Sequence, residues 1–346
     1  MQPRFCAFVF VTVITAGFLS PARAAEPPAT KPAAAEKKVP VYLTVESAGP
    51  EYKVQGEYAG QTDAKEKLGA QVAAQGDGAF RAVFYAGGLP GDGWDGKGRV
   101  EVKGTTADGK TTFAGGAGYA ATITGGDAMT GQTDKGAKFE LKKVMRVSAT
   151  EGAKPPAGAT VLFDGMSLDA FAAGAKMDER KLLMAHSPGR GPITRATFGD
   201  FTLHAEFLIP FKPGAKEQDH GNSGVYIQER YEVQILDSFG QPLNAGVCAS
   251  VYRQTPPAFI MSYPPLSWQT YDIDFEAPRW DAQGKKVKNA VITVRHNGVL
   301  VHDKREVTSK TGAGKPEGPT PGLILLQNHG NPVFFRNVWI VDKKGA

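Results

Sequence analysis

The sequence predicts an all-β protein, a two-sheet sandwich of jelly-roll type preceded by a smaller antiparallel β domain. Three observations carry this. Short runs with period-2 alternation fill most of the chain, turn residues separate them, and helical periodicity is nearly absent, with at most a turn around Met177 to Lys181. Many short strands without a helix layer bury their apolar faces against one another, which makes sandwiches or barrels.

The 346 residues leave room for two domains, each with its own core. Only 2 cysteines exclude a disulfide framework. A formal charge of +5, from Lys residues scattered along the chain without interleaved aromatics, gives no nucleic-acid signature. Residues 1–24 read as a signal peptide: Arg4 is followed by the uncharged run Phe5 to Leu19, then Pro21 and the small-x-small pattern Ala22-Arg23-Ala24. The run is shorter than the ~20 residues that span a bilayer, and no later stretch could anchor the chain. The expected product is therefore exported, periplasmic or extracellular, with no membrane anchor. Cleavage removes two arginines, lowers the charge to +3 and leaves Cys248 as the one cysteine.

Residues 25–40 are Pro/Ala/Lys-rich and suit an extended linker. Residues 41–148 read as the small β domain, a sandwich or barrel. Phe80, Ala82 and Phe84 share one face there, and the same grammar recurs at Arg99 to Lys103, Thr111 to Phe113, Tyr119 to Thr124 and Lys138 to Val147. The segment Gly87 to Gly98 opens no helix and lacks Gly-Lys-Ser/Thr, so it reads as a loop and not a phosphate cradle, with Trp94 as a plug over the barrel end. Residues 149–157 form a second linker, and 158–346 should hold a whole sandwich with no borrowed strand. Within it, Ala290 to Arg295 and Val299 to Asp303 flank Asn297-Gly298, a pair suited to the two positive φ angles of a type I′ hairpin.

Strand parity selects the first candidate residues. Leu203, Ala205 and Phe207, Val225 and Ile227, and Val233 and Ile235 point to the core, so His204 and Glu206, Tyr226 and Gln228, and Glu232 and Gln234 point away from it. These six make a polar and aromatic stripe across three strands, fit to line a groove. Asp237 falls out of parity; either the strand has ended or a bulge turns it toward Glu232 and Gln234.

The motifs VLFDGMSL (161–168), GDFTLHAEF (199–207), GNSGVY (221–226), YEVQILD (231–237), WQTY (268–271), HNGV (296–299) and LQNHG (326–330) with Phe335-Arg336-Asn337 occur in order. The chain from about 158 to 342 resembles the 3-keto-disaccharide hydrolase domain family; Gln269 departs from the Asn usual in its Trp-Asn-Thr pattern. The resemblance implies a concanavalin-like jelly roll, export, and action on an oxidised glycoside or disaccharide whose sugar carries a ketone at C3. The N-terminal domain lies outside it and has no assigned role.

A C3 ketone acidifies the C2 hydrogen, so a base can remove it, the enolate can expel the C1 substituent, and water can add back. The implied catalytic set is Glu232 or His329 as base and Asp237 or Glu206 as acid, with Arg336 or a metal at the ketone oxygen. The substrate-binding set is Glu206, Asn222, Tyr226, Gln228, Gln234, Gln327 and Arg336. No cofactor is required; a divalent ion would be met by Glu232, Asp237, His220 and His329, although no His-x-His, His-Glu-x-x-His or Cys cluster marks a metal site. Two other functions fit the same fold: a non-catalytic carbohydrate-binding module, and a retaining glycosidase with two carboxyl groups about 5 to 5.5 Å apart. The sequence leaves the oligomeric state open.

Overall fold

Period-2 alternation closes the N-terminal domain into a barrel. The computed structural model describes residue 1 and residues 39–115 and 118–343; the expected signal peptide, apart from Met1, and all but the end of the first linker lie outside the described residues. The barrel strands are β1 (Gly56–Thr62), β2 (Lys67–Gly76), β3 (Ala79–Ala86), β4 (Arg99–Ala107), β5 (Lys110–Phe113), β6 (Ala120–Thr124), β7 (Ala128–Gln132) and β8 (Lys138–Val144). Each pairs with the next, and β8 returns antiparallel to β1. Closure leaves no open edge. Phe80, Ala82 and Phe84 point inward with Tyr58, Val72, Ile123 and Leu141. A short helix that the sequence pattern did not predict, α1 (Pro50–Val54), precedes β1.

The second domain is a sandwich built from residues 160–342. Its strands are β9 (Thr160–Phe163), β10 (Lys176–Met177), β11 (Leu183–Met184), β12 (Ile193–Phe198), β13 (Phe201–Leu208), β14 (Ser223–Ile227), β15 (Tyr231–Ile235), β16 (Trp268–Glu276), β17 (Arg279–Trp280), β18 (Lys286–Lys288), β19 (Ala290–His296), β20 (Val299–Val307), β21 (Gly322–Leu326) and β22 (Phe334–Asp342). The larger sheet runs β10-β11-β22-β13-β16-β19-β20 with β9 on β22, the smaller runs β12-β21-β14-β15, and β17-β18 form a ribbon. Leu203, Ala205, Phe207, Ile273 and Val294 of the larger sheet share one core with Val225, Ile227, Val233, Ile235 and Ile324 of the smaller. Asn297 and Gly298 take φ of 53° and 80° in the β19–β20 hairpin, as its type I′ sequence predicts.

The crossing between sheets matters most for the site. β13 lies in the larger sheet and β14 in the smaller, so residues 209–222 carry the chain from one to the other. That segment also enters the barrel. Phe211 is buried in the barrel's apolar cluster, stacked on Tyr42 and edge-on to Tyr52, and its backbone exchanges hydrogen bonds with Tyr42. The barrel and sandwich accordingly belong to one compact unit from Val39 onward. Trp94 packs edge-on against Tyr85, and a Cβ at Gly91 of the same loop would meet Met261 of the sandwich. The 149–157 segment is bonded along its first half. Thr150 Oγ1 donates to Asp272, Gly152 N–H donates to Glu206, and Ala153 C=O accepts from Asn337 and Trp339.

Candidate functional site

The smaller sheet buries polar groups on the face turned away from the core. Tyr226 stands opposite Glu232 and Gly224 opposite Gln234 in the β14–β15 ladder, so all four share that face. The Tyr226 hydroxyl donates to Glu232 Oε2 at 2.7 Å, while Thr311 Oγ1 accepts from the Glu232 backbone N–H. Among the described residues nothing donates to Glu232 Oε1. Two glycines keep the space around the carboxylate clear. A Cβ at Gly224 would sit 2.7 Å from Oε1, and one at Gly312, where φ is +40°, would sit 3.2 Å from Oε2 and 3.1 Å from the Tyr252 ring. Burial pushes the Glu232 carboxyl up to about 7, and the Tyr226 bond only partly opposes this. A carboxyl near 7 with one bound and one free oxygen is suited to taking a proton at neutral pH.

Carboxamides continue the face. Gln234 Nε2 and Asn222 Nδ2 both donate to Gln218 Oε1 at 3.1 Å. The Gln234 Oε1 and Gln327 Oε1 atoms are buried without a hydrogen-bond partner, and the Gln327 N–H donates to Gly224 C=O, which sets it beside β14. Buried unpaired acceptors cost free energy unless a bound molecule or water satisfies them. Next along the chain, His220 Nδ1 lies 3.7 Å from Asp237 Oδ2, and Asp237 N–H donates to His220 C=O. β15 ends at Ile235, so Asp237 escapes strand parity because the strand has stopped, without a bulge. Burial raises the Asp237 carboxyl, and His220 opposes the shift.

The single polar stripe expected across three strands is therefore two surfaces. Glu206 belongs to β13 in the larger sheet, and its outward face is opposite to that of β14 and β15. Its Oε2 accepts from Arg336 Nε at 2.6 Å, and its Oε1 accepts from Asn337 Nδ2 and Gly152 N–H. Burial would raise this carboxyl, but His204, Asn337, Arg336 and Gly152 hold it down at about 2. Arg336 also binds Glu151 and lies over the Trp268 ring. Neither Glu206 nor Arg336 can serve a substrate held by Glu232; together they clamp residues 151–153 onto the sandwich.

Gln228 is a second correction. β14 ends at Ile227, Gln228 takes φ of 54°, and its side chain binds Phe198 C=O and Arg230 instead of facing the groove. His329 sits exposed in the loop two residues beyond Gln327. The four residues named for a divalent ion do not gather: among the described residues no group of three or more His, Cys, Asp or Glu is arranged to hold a metal. Sequence reasoning missed Gln218, Tyr252 and Gly312, whose positions in Gly- or Pro-containing loops carry no periodic signal. A separate open concavity of about 850 Å³, lined by barrel residues that include Asp63, Lys65, Lys67 and Lys138, contains none of these groups.

With the geometry in place, the comparisons define the class. A solved candidate glycosyl hydrolase of Parabacteroides distasonis is 32% identical over 54% of this chain and 84% of its own, with a TM-score of 0.50. Two more candidate glycosyl hydrolases of that organism are 21% and 18% identical, covering 53% and 57% of this chain and 98% of their own, each at a TM-score of 0.39. No protein of curated function matches the sequence. The first of these structures, at 32% identity, marks the sandwich as that of a glycoside-acting enzyme family. The profile of the 3-keto-alpha-glucoside-1,2-lyase-like domain matches residues 158–341, and the chain belongs to that family.

Proposed function

We propose that the protein is an exported enzyme that cleaves 3-keto-glycosides, with Glu232 as the base that removes the C2 proton. The observation that carries this reading is the state of Glu232: shielded, raised to about 7, one oxygen held by Tyr226 and the other free. The Glu232 carboxylate takes the C2 hydrogen, and the electron pair forms an enolate with the C3 ketone. Collapse of the enolate breaks the C1–O bond, and the departing oxygen receives a proton from Asp237 or its partner His220. Water then adds at C1, and C2 regains a proton. Gln234, Asn222 and Gln327 supply carboxamides for the sugar's hydroxyl groups, and His329, exposed two residues beyond Gln327, is assigned to the outer part of the substrate.

The classical retaining reading has less support, because no second carboxylate is among the groups that shift Glu232. A pair about 5 Å apart would repel and raise one partner. The test incubates the mature protein with matched 3-keto and unoxidised glucosides. Cleavage of the keto substrate alone supports the proposal. Equal cleavage of both would favour a retaining glycosidase, and binding without cleavage would favour a carbohydrate-binding module.

A further inference from the structure

The barrel lies outside the matched family domain, yet its outward face meets the segment that carries Asp237. β2 and β3 pair with Ala73 opposite Arg81 and Gln71 opposite Val83, so these four side chains share that face. The sandwich loop after β15 rests there. A Cβ at Gly240 would lie 3.6 Å from Val83 and 3.9 Å from both Ala73 and Gln71, and Arg99 donates to Gly240 C=O at 3.1 Å. The β2–β3 turn also touches the segment leading to Gln218 and His220, since a Cβ at Gly76 would meet Gly214 at 3.1 Å.

Arg81 therefore stands where barrel, Asp237 loop and His220 segment converge. Its Nε and Nη2 atoms are out of solvent and have no hydrogen-bond partner, and among the described residues it makes no ion pair. Burial lowers its pKa, and Glu101 and Asp237 are the carboxylates that act against this. A guanidinium is the side chain least able to shed its charge, so shielded N–H groups without acceptors call for oxygens from outside the fold. The buried, unpartnered Gln234 Oε1 shows the same deficit on the sandwich side.

We propose that Arg81 is a substrate-binding residue that the barrel contributes to the sandwich's site, donating from Nε and Nη2 to oxygen atoms of a glycoside bound beside Asp237 and His220. The proposal rests on the reading of the site given above. It also gives the barrel a function: its tie to the 209–222 segment through Phe211 holds Arg81 in register with that site.

The test titrates methyl 3-keto-α-glucoside and methyl α-glucoside into full-length mature protein carrying Glu232→Gln, which keeps the ligand intact, with and without Arg81→Met or Arg81→Lys. Charged hydrogen bonds of this kind correspond to a loss of about tenfold or more in affinity when removed. The expected result is that loss for Arg81→Met and partial recovery for Arg81→Lys, with a matching rise in KM and little change in kcat in the Glu232 background. Unchanged affinity in both variants overturns the Arg81 assignment and leaves the Glu232 reading standing. If Arg81→Met does not fold, the Arg81→Lys titration decides alone, because loss of the planar fork should still weaken binding. Failure of the Arg81-intact protein to bind either glucoside overturns the site reading, and this proposal with it.

Discussion

Two buried glutamates, one outside each sheet of the sandwich, behave in opposite ways. Glu206 on the larger sheet and Glu232 on the smaller are both shut off from solvent. Glu206 is surrounded by donors and held at about 2, whereas Glu232 has one neutral donor and is raised to about 7. Burial alone pushes both upward; the count and charge of donors decide the outcome. On the proposed reading, the difference separates a structural clamp from a base, and neither residue type nor strand parity could have made that separation.

The largest expected effect of breaking the comparison is on rate. Glu232→Gln should lower kcat for a 3-keto-glucoside by about 10² to 10⁴, the usual contribution of a positioned base, while leaving the thermal midpoint unchanged or higher. Steady-state kinetics beside a melting curve reads both. Glu206→Gln should do the reverse, costing roughly 2 kcal/mol or more of stability by unpairing a buried acceptor network, with kcat close to that of the parent protein where it is folded. A large kcat loss in folded Glu206→Gln protein would put that carboxylate back in the site.

The pH dependence of stability should separate the two carboxyls next. Glu232 titrates near 7 when folded and near 4.5 when unfolded, so the folded state holds an extra proton between these values and stability falls as pH rises through them. Glu206 has the opposite sign: its contribution is complete above about 4.5 and is lost as pH falls toward 2. Denaturation from pH 4 to 8 should show Glu232→Gln gaining on the parent by roughly 3 kcal/mol at the upper end. Parallel curves would mean that Glu232 is an ordinary solvated carboxylate.

The smallest effect is expected at His329. His329→Ala removes an exposed side chain with no bonded partner among the described residues, and a loss of about tenfold in kcat/KM suits a contact with the substrate's outer part. A loss as deep as that of Glu232→Gln would transfer the base role to His329.

Much of this was legible in the chain. The inward alternation of Leu203, Ala205 and Phe207, the Asn297-Gly298 turn and the ordered motifs from Val161 to Asn337 are local patterns, and local patterns survive in one sequence. Two kinds of fact were not legible. Parity assigns a side chain to one face of its strand but says nothing about which sheet the strand joins, so Glu206 and Glu232 looked like neighbours although the 209–222 crossing puts their faces on opposite sides. Contacts between distant loops, such as Phe211 in the barrel core, Gly312 beside Glu232, or Arg81 beside the Asp237 loop, depend on tertiary closure and leave no periodic trace.

The central claim is that Glu232 removes the C2 proton, and exchange of that proton tests it most directly. The parent protein, run on a 3-keto-glucoside in D₂O, should release a keto-sugar carrying deuterium at C2, with a rate that climbs as pH rises through about 7 because only ionised Glu232 is a base. Glu232→Gln should abolish the exchange, and folded Glu206→Gln should retain it. Cleavage without deuterium at C2, or exchange that persists in Glu232→Gln, would contradict the assignment.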